Sequence, residues 1–388
     1  MQKKLQLLLA LLAFVVTSAM AQITTSGISG KISSNGETVI GATVTATHQP
    51  SGTVYRAVTN VDGRYTIQGM RPGGPYKVSI SYIGYKDKVF NNVSLSLGET
   101  ENISCSLQED AHQLQEVVVS GKAGLAASRT GAATSMTAEQ INNMPSITHG
   151  IADVARLNPQ LTVTNSGNMS FAGTNNRYNN FMIDGAANND VFGLASSGNN
   201  GGQAGAQPVS METIEQIQVS VAPFDVRQSG FTGGAINAIT KSGTNKFHGS
   251  AYYYGYNQDL IGTKYPYLDG TGYAPKYQKQ TQYNMGVTLG GPIIKNKLFF
   301  FANYERTNKE YPNLYGVDSG NSKVNTEQAK DILTMLQKMA EKQGVAFNDY
   351  FSNQDIYTKS DKAGLKLDWN INEFNKFAIR WSLVKAEQ

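Results

Sequence analysis

The residue types that do covalent or metal chemistry are few in this sequence, and none stands at a working spacing. His48, His112, His149 and His248 are the four histidines, far apart, and none belongs to an H-E-x-x-H pair. No zinc site is expected. Gly167-Asn168-Met169-Ser170-Phe171-Ala172-Gly173 has the wrong spacing for a nucleophile elbow, and no G-x-x-x-x-G-K-[ST] phosphate loop occurs. Asp184 and Asp190, with Asn188 and Asn189, offer oxygens to calcium, but not at EF-hand spacing, so turns with Asx hydrogen bonds are expected instead. The single Cys105 alternates with Ile103 and Leu107, which predicts an inward strand face and a buried, inert thiol. Catalytic, cofactor and metal residues are therefore expected to be none. What remains is non-covalent: strand pairing, aromatic packing and hydrogen bonding by polar loops.

Two kinds of segment offer that. Leu114-Gln115-Glu116-Val117-Val118-Val119 lies between polar residues and Ser120-Gly121, and its three consecutive valines make a strand that needs a partner. It reads equally as the last strand of the domain before it or the first of the domain after it. Between Asp184 and Gly205 the chain is dense in glycine and asparagine and too polar for a core, which marks a functional or mobile loop.

The elements around these segments fall into a leader and three regions. Lys3 and Lys4, the apolar run Leu7 to Val16 and Ala19-Met20-Ala21 follow the order of a secretory signal peptide, with cleavage between Ala21 and Gln22. The run is about half of the ~20 residues a membrane helix needs. No cysteine follows the cut, so a lipoprotein anchor is not expected. A charged fraction of 16% and a net charge of +4 without a Lys/Arg run argue against disorder and against nucleic acid as a partner.

From residue 23 to 107, short alternating runs predict an antiparallel sandwich. Ala42, Val44 and Ala46 share one face, as do Tyr76, Val78, Ile80 and Tyr82; Asp62-Gly63 reads as a two-residue hairpin, with turns at Asn35-Gly36, Pro72-Gly73-Gly74 and Gly98. From 122 to 242 the pattern is mixed α/β. Thr137-Ala138-Glu139-Gln140 is a capping box, Ile147, Ile151, Val154 and Ala155 recur at helical spacing until Asn158-Pro159, Phe181-Met182-Ile183 runs into the turn Asp184-Gly185, a helix starts at Ser210, and Ile217, Val219 and Val221 alternate as a strand.

Beyond residue 247 tyrosine dominates: 14 of the 20 tyrosines lie between Tyr252 and Tyr357. Tyr283, Met285, Val287 and Leu289 alternate with polar or small residues; Leu298, Phe300, Ala302 and Tyr304 follow after a turn, then Leu365, Leu367 and Trp369, then Phe377, Ile379, Trp381 and Leu383. Strands of about ten residues with aromatic ends, joined by short and long connections in alternation, fit a transmembrane β-barrel, with a soluble sandwich as the alternative. The long connection Asn308 to Lys359 holds a helix capped by Asn325, with Ile332, Leu333, Leu336 and Met339 as its apolar stripe and Gly344 at its end.

Specific motifs separate those alternatives. Ile28-x-Gly30-x-Ile32, Gly41-Ala42-Thr43-Val44, Thr59-x-x-Asp62-Gly63-x-Tyr65 and Pro72-Gly73-x-x-Tyr76-x-Val78 together resemble the carboxypeptidase regulatory-like domain, an accessory sandwich without protease chemistry. Ile214 to Val219, then Gly230-Phe231-Thr232-Gly233-Gly234-Ala235-Ile236-Asn237-Ala238-Ile239-Thr240-Lys241-Ser242-Gly243, resembles the end of the plug domain in TonB-dependent outer-membrane receptors, and Met182-Ile183-Asp184-Gly185 is similar to the other plug signature. Ala222-Pro223-Phe224-Asp225-Val226-Arg227 and Phe247-His248-Gly249-Ser250 resemble the Oar-like branch of that family.

The resemblance implies a multi-domain chain: a signal peptide over 1–21, a regulatory-like sandwich over 22–109, a linker over 110–121 with Leu114 to Val119 as the TonB box, a plug over 122–245, and the first strands of a barrel over 246–388. It further implies energised uptake of an extracellular substrate with the TonB–ExbB–ExbD complex as partner and outer-membrane lipid around the barrel. Asn188 to Gln203 and Asn308 to Lys359 would then be binding loops by position. A role in surface adhesion or protein secretion is the alternative that Oar-like members suggest. The family's barrel has about 22 strands, far more than this sequence holds, so the sequence reads as the N-terminal fragment of a longer protein.

Overall fold

A computed structural model describes residues 23–109, 117–119, 132–146, 149–164, 169–190, 192, 195, 197–221, 231–260, 279–313, 325–346 and 355–388. The leader with its Ala21–Gln22 cut, Leu114 to Glu116, the Ala222 to Gly230 stretch, Ile147 and His112 lie outside these residues.

The first unit is two sheets packed face to face. One holds β1 (Ser26–Ser34), β2 (Glu37–Thr38), β5 (Arg64–Met70), β8 (Thr100–Asn102) and β9 (Cys105–Ser106). The other runs in the order β10 (Val117–Val119), β7 (Lys88–Leu95), β6 (Gly73–Ser81), β3 (Thr43–His48), β4 (Thr53–Val58). Most of the alternating residues meet where expected: Ala42, Val44, Ala46, Tyr76, Val78 and Ile80 are fully buried with Ile28 and Ile32, whereas Tyr82 lies just past the end of β6 and is exposed.

Three expectations need correction. Asn35-Gly36 forms the two-residue hairpin, between β1 and β2 with both residues at positive φ, whereas Asp62-Gly63 carries the chain from one sheet to the other. There the Asn60 carboxamide accepts from the N–H groups of Asp62 and Arg64, so the turn is set locally and no strand pairing follows. The sandwich is also not wholly antiparallel, because β8 and β9 join β1 in parallel. Cys105 is only partly buried; it packs against the core, and desolvation raises its thiol pKa.

His48 is a buried titratable group of this unit. Its Nδ1 lies 2.6 Å from the Ser51 hydroxyl and its ring 4.9 Å from that of Tyr76. Burial, with the Arg71 charge second, lowers its pKa to about 3. The unfolded chain takes the proton near pH 6.5 and the folded one does not, so stability falls as pH drops from about 6.5 towards 3. At pH 5 the sandwich is expected to be about 2 kcal/mol less stable than at pH 7.5. Urea unfolding of residues 23–109 at the two pH values measures this, and His48→Gln should remove most of the difference.

In the middle unit the sheet order is β11 (Ala132–Thr137), β16 (Ile214–Val221), β17 (Gly234–Thr240), β14 (Asn180–Ile183), β15 (Ala186–Ala187), beside a small pair β12 (Leu161–Val163) and β13 (Met169–Phe171). Helix α1 (Ala138–Asn143) starts on the expected capping box, Thr137 accepting from the Gln140 N–H and Gln140 from the Thr137 N–H. Helix α2 (Ile151–Ala155) adds Ile151, Val154 and Ala155 to a core with Ile217, Val219, Ile236 and Ala238. The helix expected at Ser210 is a single 3-10 turn, Met211–Thr213, because β16 begins at Ile214 and leaves it no length.

The last unit is one antiparallel sheet, β18 (His248–Asn257), β19 (Thr281–Ile294), β20 (Leu298–Tyr311), β21 (Ile356–Asn370) and β22 (Lys376–Glu387), each strand paired with the next. The described strands do not close into a barrel. Strand β19 runs five residues past Leu289, through an irregularity at Pro292, before the turn to β20. The apolar stripe Met285, Val287, Leu289, Tyr304, Leu365, Trp369, Phe377, Ile379, Trp381 and Leu383 is exposed on one face. Helix α3 (Thr326–Gln343) in the long connection has the expected Asn325 capping box and ends at Gly344; its stripe is largely exposed, and only Ala329 is buried.

Candidate plug and wall contacts

Inward-facing positions of the sheet alternate with the apolar stripe, and apart from the buried Phe299 and Phe301 and several small residues they are polar. Asn284, Thr288, Glu305, Thr307, Thr358, Ser360, Lys362, Lys366 and Asp368 are all buried. Charge in such a place needs partners. Glu305, Lys362 and Lys366 have them, in two groups, and Asp368 pairs with Arg71 of the sandwich.

The first group centres on Glu305. Its carboxylate accepts from Lys362 Nζ at 2.5 Å, from Ser210 Oγ at 2.7 Å and from the Tyr252 hydroxyl at 2.8 Å. Ser210 belongs to the middle unit and the other three to the sheet, so one buried carboxylate joins the two. Nearby, Tyr254 donates to Glu212 at 2.8 Å and stacks on His149 with 3.8 Å between centroids.

The second group centres on Asp184. The tight turn Asp184-Gly185 between β14 and β15, both residues at positive φ, points this carboxylate at the sheet. Asp184 accepts from the Thr240 N–H at 2.9 Å and the Thr240 hydroxyl at 2.6 Å, and pairs with Lys366 at 3.2 Å and Arg380 at 3.4 Å. Lys366 also donates to the Thr240 carbonyl at 3.0 Å. A cavity of about 520 Å³ opens beside this group, where the sandwich, the middle unit and β21–β22 meet.

The motif residues divide accordingly. Asp184 and Thr240 form the second group; the Lys241 N–H donates to the Thr213 carbonyl, and Ser242 lines the cavity. Gly234 faces the Phe171 ring so closely that an added Cβ would sit 2.2 Å from it. At Gly243 a Cβ would meet the carbonyl oxygens of Phe300 and Gly291 at 2.4 and 2.6 Å, so the chain leaves the middle unit against the β19–β20 backbone. Gly233 contacts Asn179, and Asn237 turns towards the sandwich, donating to the Ile23 carbonyl. Gly230 lies outside the described residues.

Asp184 and Asp190 do not converge on a shared ion. Asp190 accepts from the N–H groups of Phe192 and Ala195, and Asn189 from that of Phe181, so these two serve the local backbone, while Asn188 Oδ1 is buried without a hydrogen-bond partner. Strand Val117–Val119 pairs in parallel with Lys88–Phe90 of β7, at the edge of the sandwich, and no further strand flanks it among the described residues. Sequence reasoning missed Ser210, Glu305, Lys362, Lys366 and Arg380. The four charged ones had one signal, standing among the residues that alternate with an apolar stripe; Ser210 had none.

Comparison with known proteins adds names to these units. Residues 27–108 match the family "Carboxypeptidase regulatory-like domain", residues 126–236 "TonB-dependent Receptor Plug Domain", and residues 239–317 "Outer membrane beta barrel domain". The TonB-dependent transporter Oar of Myxococcus xanthus is 29% identical over 273 residues, 67% of this chain and 24% of that protein. A probable TonB-dependent siderophore receptor, PirA of Acinetobacter baumannii, is 25% identical over 188 residues, 44% of this chain and 22% of that one. Among solved structures, the siderophore receptor PirA of Pseudomonas aeruginosa is 16% identical, with a TM-score of 0.41 over 66% of this chain and 34% of that chain. The chain thus spans about a quarter of the length of the curated relatives it matches.

Proposed function

We propose that this chain, built as a TonB-dependent outer-membrane receptor of the Oar-like kind with a carboxypeptidase regulatory-like domain, a plug and the opening strands of a β-barrel, is the gate of an energised importer. The observation that carries this is the strapping of the plug to the inner barrel wall by Glu305–Lys362–Ser210 and Asp184–Lys366–Arg380, behind a wall whose other face is apolar. A fully partnered buried polar seam of this kind holds the plug in one position against the wall.

In this reading the substrate arrives from outside, at Asn188 to Gln203 and the long loop Asn308 to Lys359. Pull on Leu114 to Val119 by the TonB–ExbB–ExbD complex then breaks the seam. In this reading the short turns at 295–297 and 371–375 lie at the periplasmic end, since outer-membrane barrels have their short turns there. Sandwich residues Thr53 and Arg56 meet that end at Asn370 and Glu373, which favours a periplasmic sandwich and box. The boundaries 1–21, 22–109, 110–121, 122–245 and 246–388 follow as proposals.

The test is exposure of the seam. With Cys105→Ser and Ser210→Cys in the full-length receptor, a maleimide should label Ser210→Cys in energised cells and fail to do so in cells lacking TonB. Equal labelling in both would contradict energised gating. Export has its own check: mass spectrometry of the mature protein should find Gln22 at the N-terminus, and retention of residues 1–21 would exclude cleavage there.

A further inference from the structure

We infer that the amide-bearing face of the plug sheet is a docking surface that reads the main chain of the regulatory-like domain, and that the two domains leave the barrel as one body. This rests on the gating reading above. One face of β16 and β17 packs on the plug's own core; the other presents Gln216, Gln218 and Asn237, each buried. Those three side chains turn to the sandwich. Gln216 accepts from the Leu97 N–H at 2.7 Å and donates to the Leu95 carbonyl at 3.1 Å, a two-point pairing of the kind one strand makes with another. Gln218 donates to the Leu97 carbonyl at 2.9 Å, and Asn237 donates to the Ile23 carbonyl. Ile23, Leu97 and Ile239 close the contact with a small apolar cluster.

The same domain also touches the barrel, by different chemistry. Arg56 pairs with Glu373 where both side chains are about half exposed, Arg71 with Asp368 at 3.5 Å, and Asn370 donates to Thr53 at 2.9 Å. If the plug moves against a fixed wall, the domain cannot keep both sets. The half-exposed Arg56–Glu373 pair exchanges for water at little cost and the buried Asp368 keeps only a 3.5 Å contact with Arg71, whereas opening the plug face breaks four hydrogen bonds of buried amides and uncovers an apolar cluster. The barrel set is therefore the one that releases, and the domain travels with the plug.

Two disulfide staples, made separately in the Ser210→Cys reporter, test this in energised cells. Thr53→Cys with Asn370→Cys ties the domain to the barrel; it should cut TonB-dependent labelling by at least about tenfold, with recovery on dithiothreitol. Leu97→Cys with Gln216→Cys ties the domain to the plug and should leave labelling unchanged. The reverse pattern, or no effect of the barrel staple, overturns the inference. If the unstapled reporter shows no TonB dependence, the gating reading fails and the shared movement falls with it. The docking surface is then judged on its own by hydrogen exchange: Gln216→Ala should speed exchange of the Leu97 amide by about tenfold or more, and an unchanged rate would refute it.

Discussion

Val118→Pro is expected to abolish TonB-dependent exposure of Ser210→Cys while the receptor still inserts into the outer membrane. Val117–Val119 has one edge on β7 and no flanking strand among the described residues on the other, which is the arrangement strand addition uses. Such pairing is held by main-chain hydrogen bonds worth about 0.5–1.5 kcal/mol each. Proline removes the Val118 donor and fixes φ, so the ladder loses its central bond and the geometry of the bonds beside it. A loss of about 3 kcal/mol is over 100-fold in affinity, enough to uncouple the two proteins. Val118→Ala keeps the donor and should do far less. Normal exposure in the proline variant would make this segment an ordinary edge strand of the sandwich.

The second large effect is expected at the seam. Lys362 and Glu305 are each more than nine-tenths buried, and Lys362→Met leaves the carboxylate with only the Ser210 and Tyr252 hydroxyls. Breaking a buried pair from one side costs about 3–5 kcal/mol, because the remaining charge stays buried. The two hydroxyls hold the cost near the low end, about 3 kcal/mol. Pairing it with Glu305→Gln removes the stranded charge and should recover most of the loss. Urea unfolding of the plug in the detergent-solubilised receptor measures both. A single variant as stable as the parent would mean that the pair does not hold the plug.

Much of this was legible in the sequence because local rules and surroundings agreed. Thr137 and Asn325 cap their helices since the residue three positions on can answer each cap. Strands β19 to β21 alternate as they do because one face is exposed and apolar while the other, mostly polar, is buried. Asp184-Gly185 turned as expected because both residues tolerate positive φ. What stayed hidden depends on partners far away in the chain. Gln216 and Gln218 alternate with Ile217 and Val219 like the wet face of a half-buried strand, and only the docked sandwich makes them interior. Glu305 and Lys362 are separated by 57 positions, and their pairing follows from register between β20 and β21, which no local pattern states. Asp62-Gly63 carries a hairpin signature, yet the strands it joins lie in different sheets.

The central claim is that an energising partner grips Leu114 to Val119 and opens the plug. Site-directed cross-linking tests it most directly. Single cysteines at Leu114, Gln115, Glu116, Val117, Val118 and Val119, in the full-length Cys105→Ser receptor, are paired with a cysteine in the periplasmic domain of TonB. The account predicts disulfide-linked receptor–TonB species along this segment in energised cells, and their loss when Val118→Pro is added. Absence of any cross-link there, while Ser210→Cys exposure remains TonB-dependent, would contradict it and move the grip to another part of the chain.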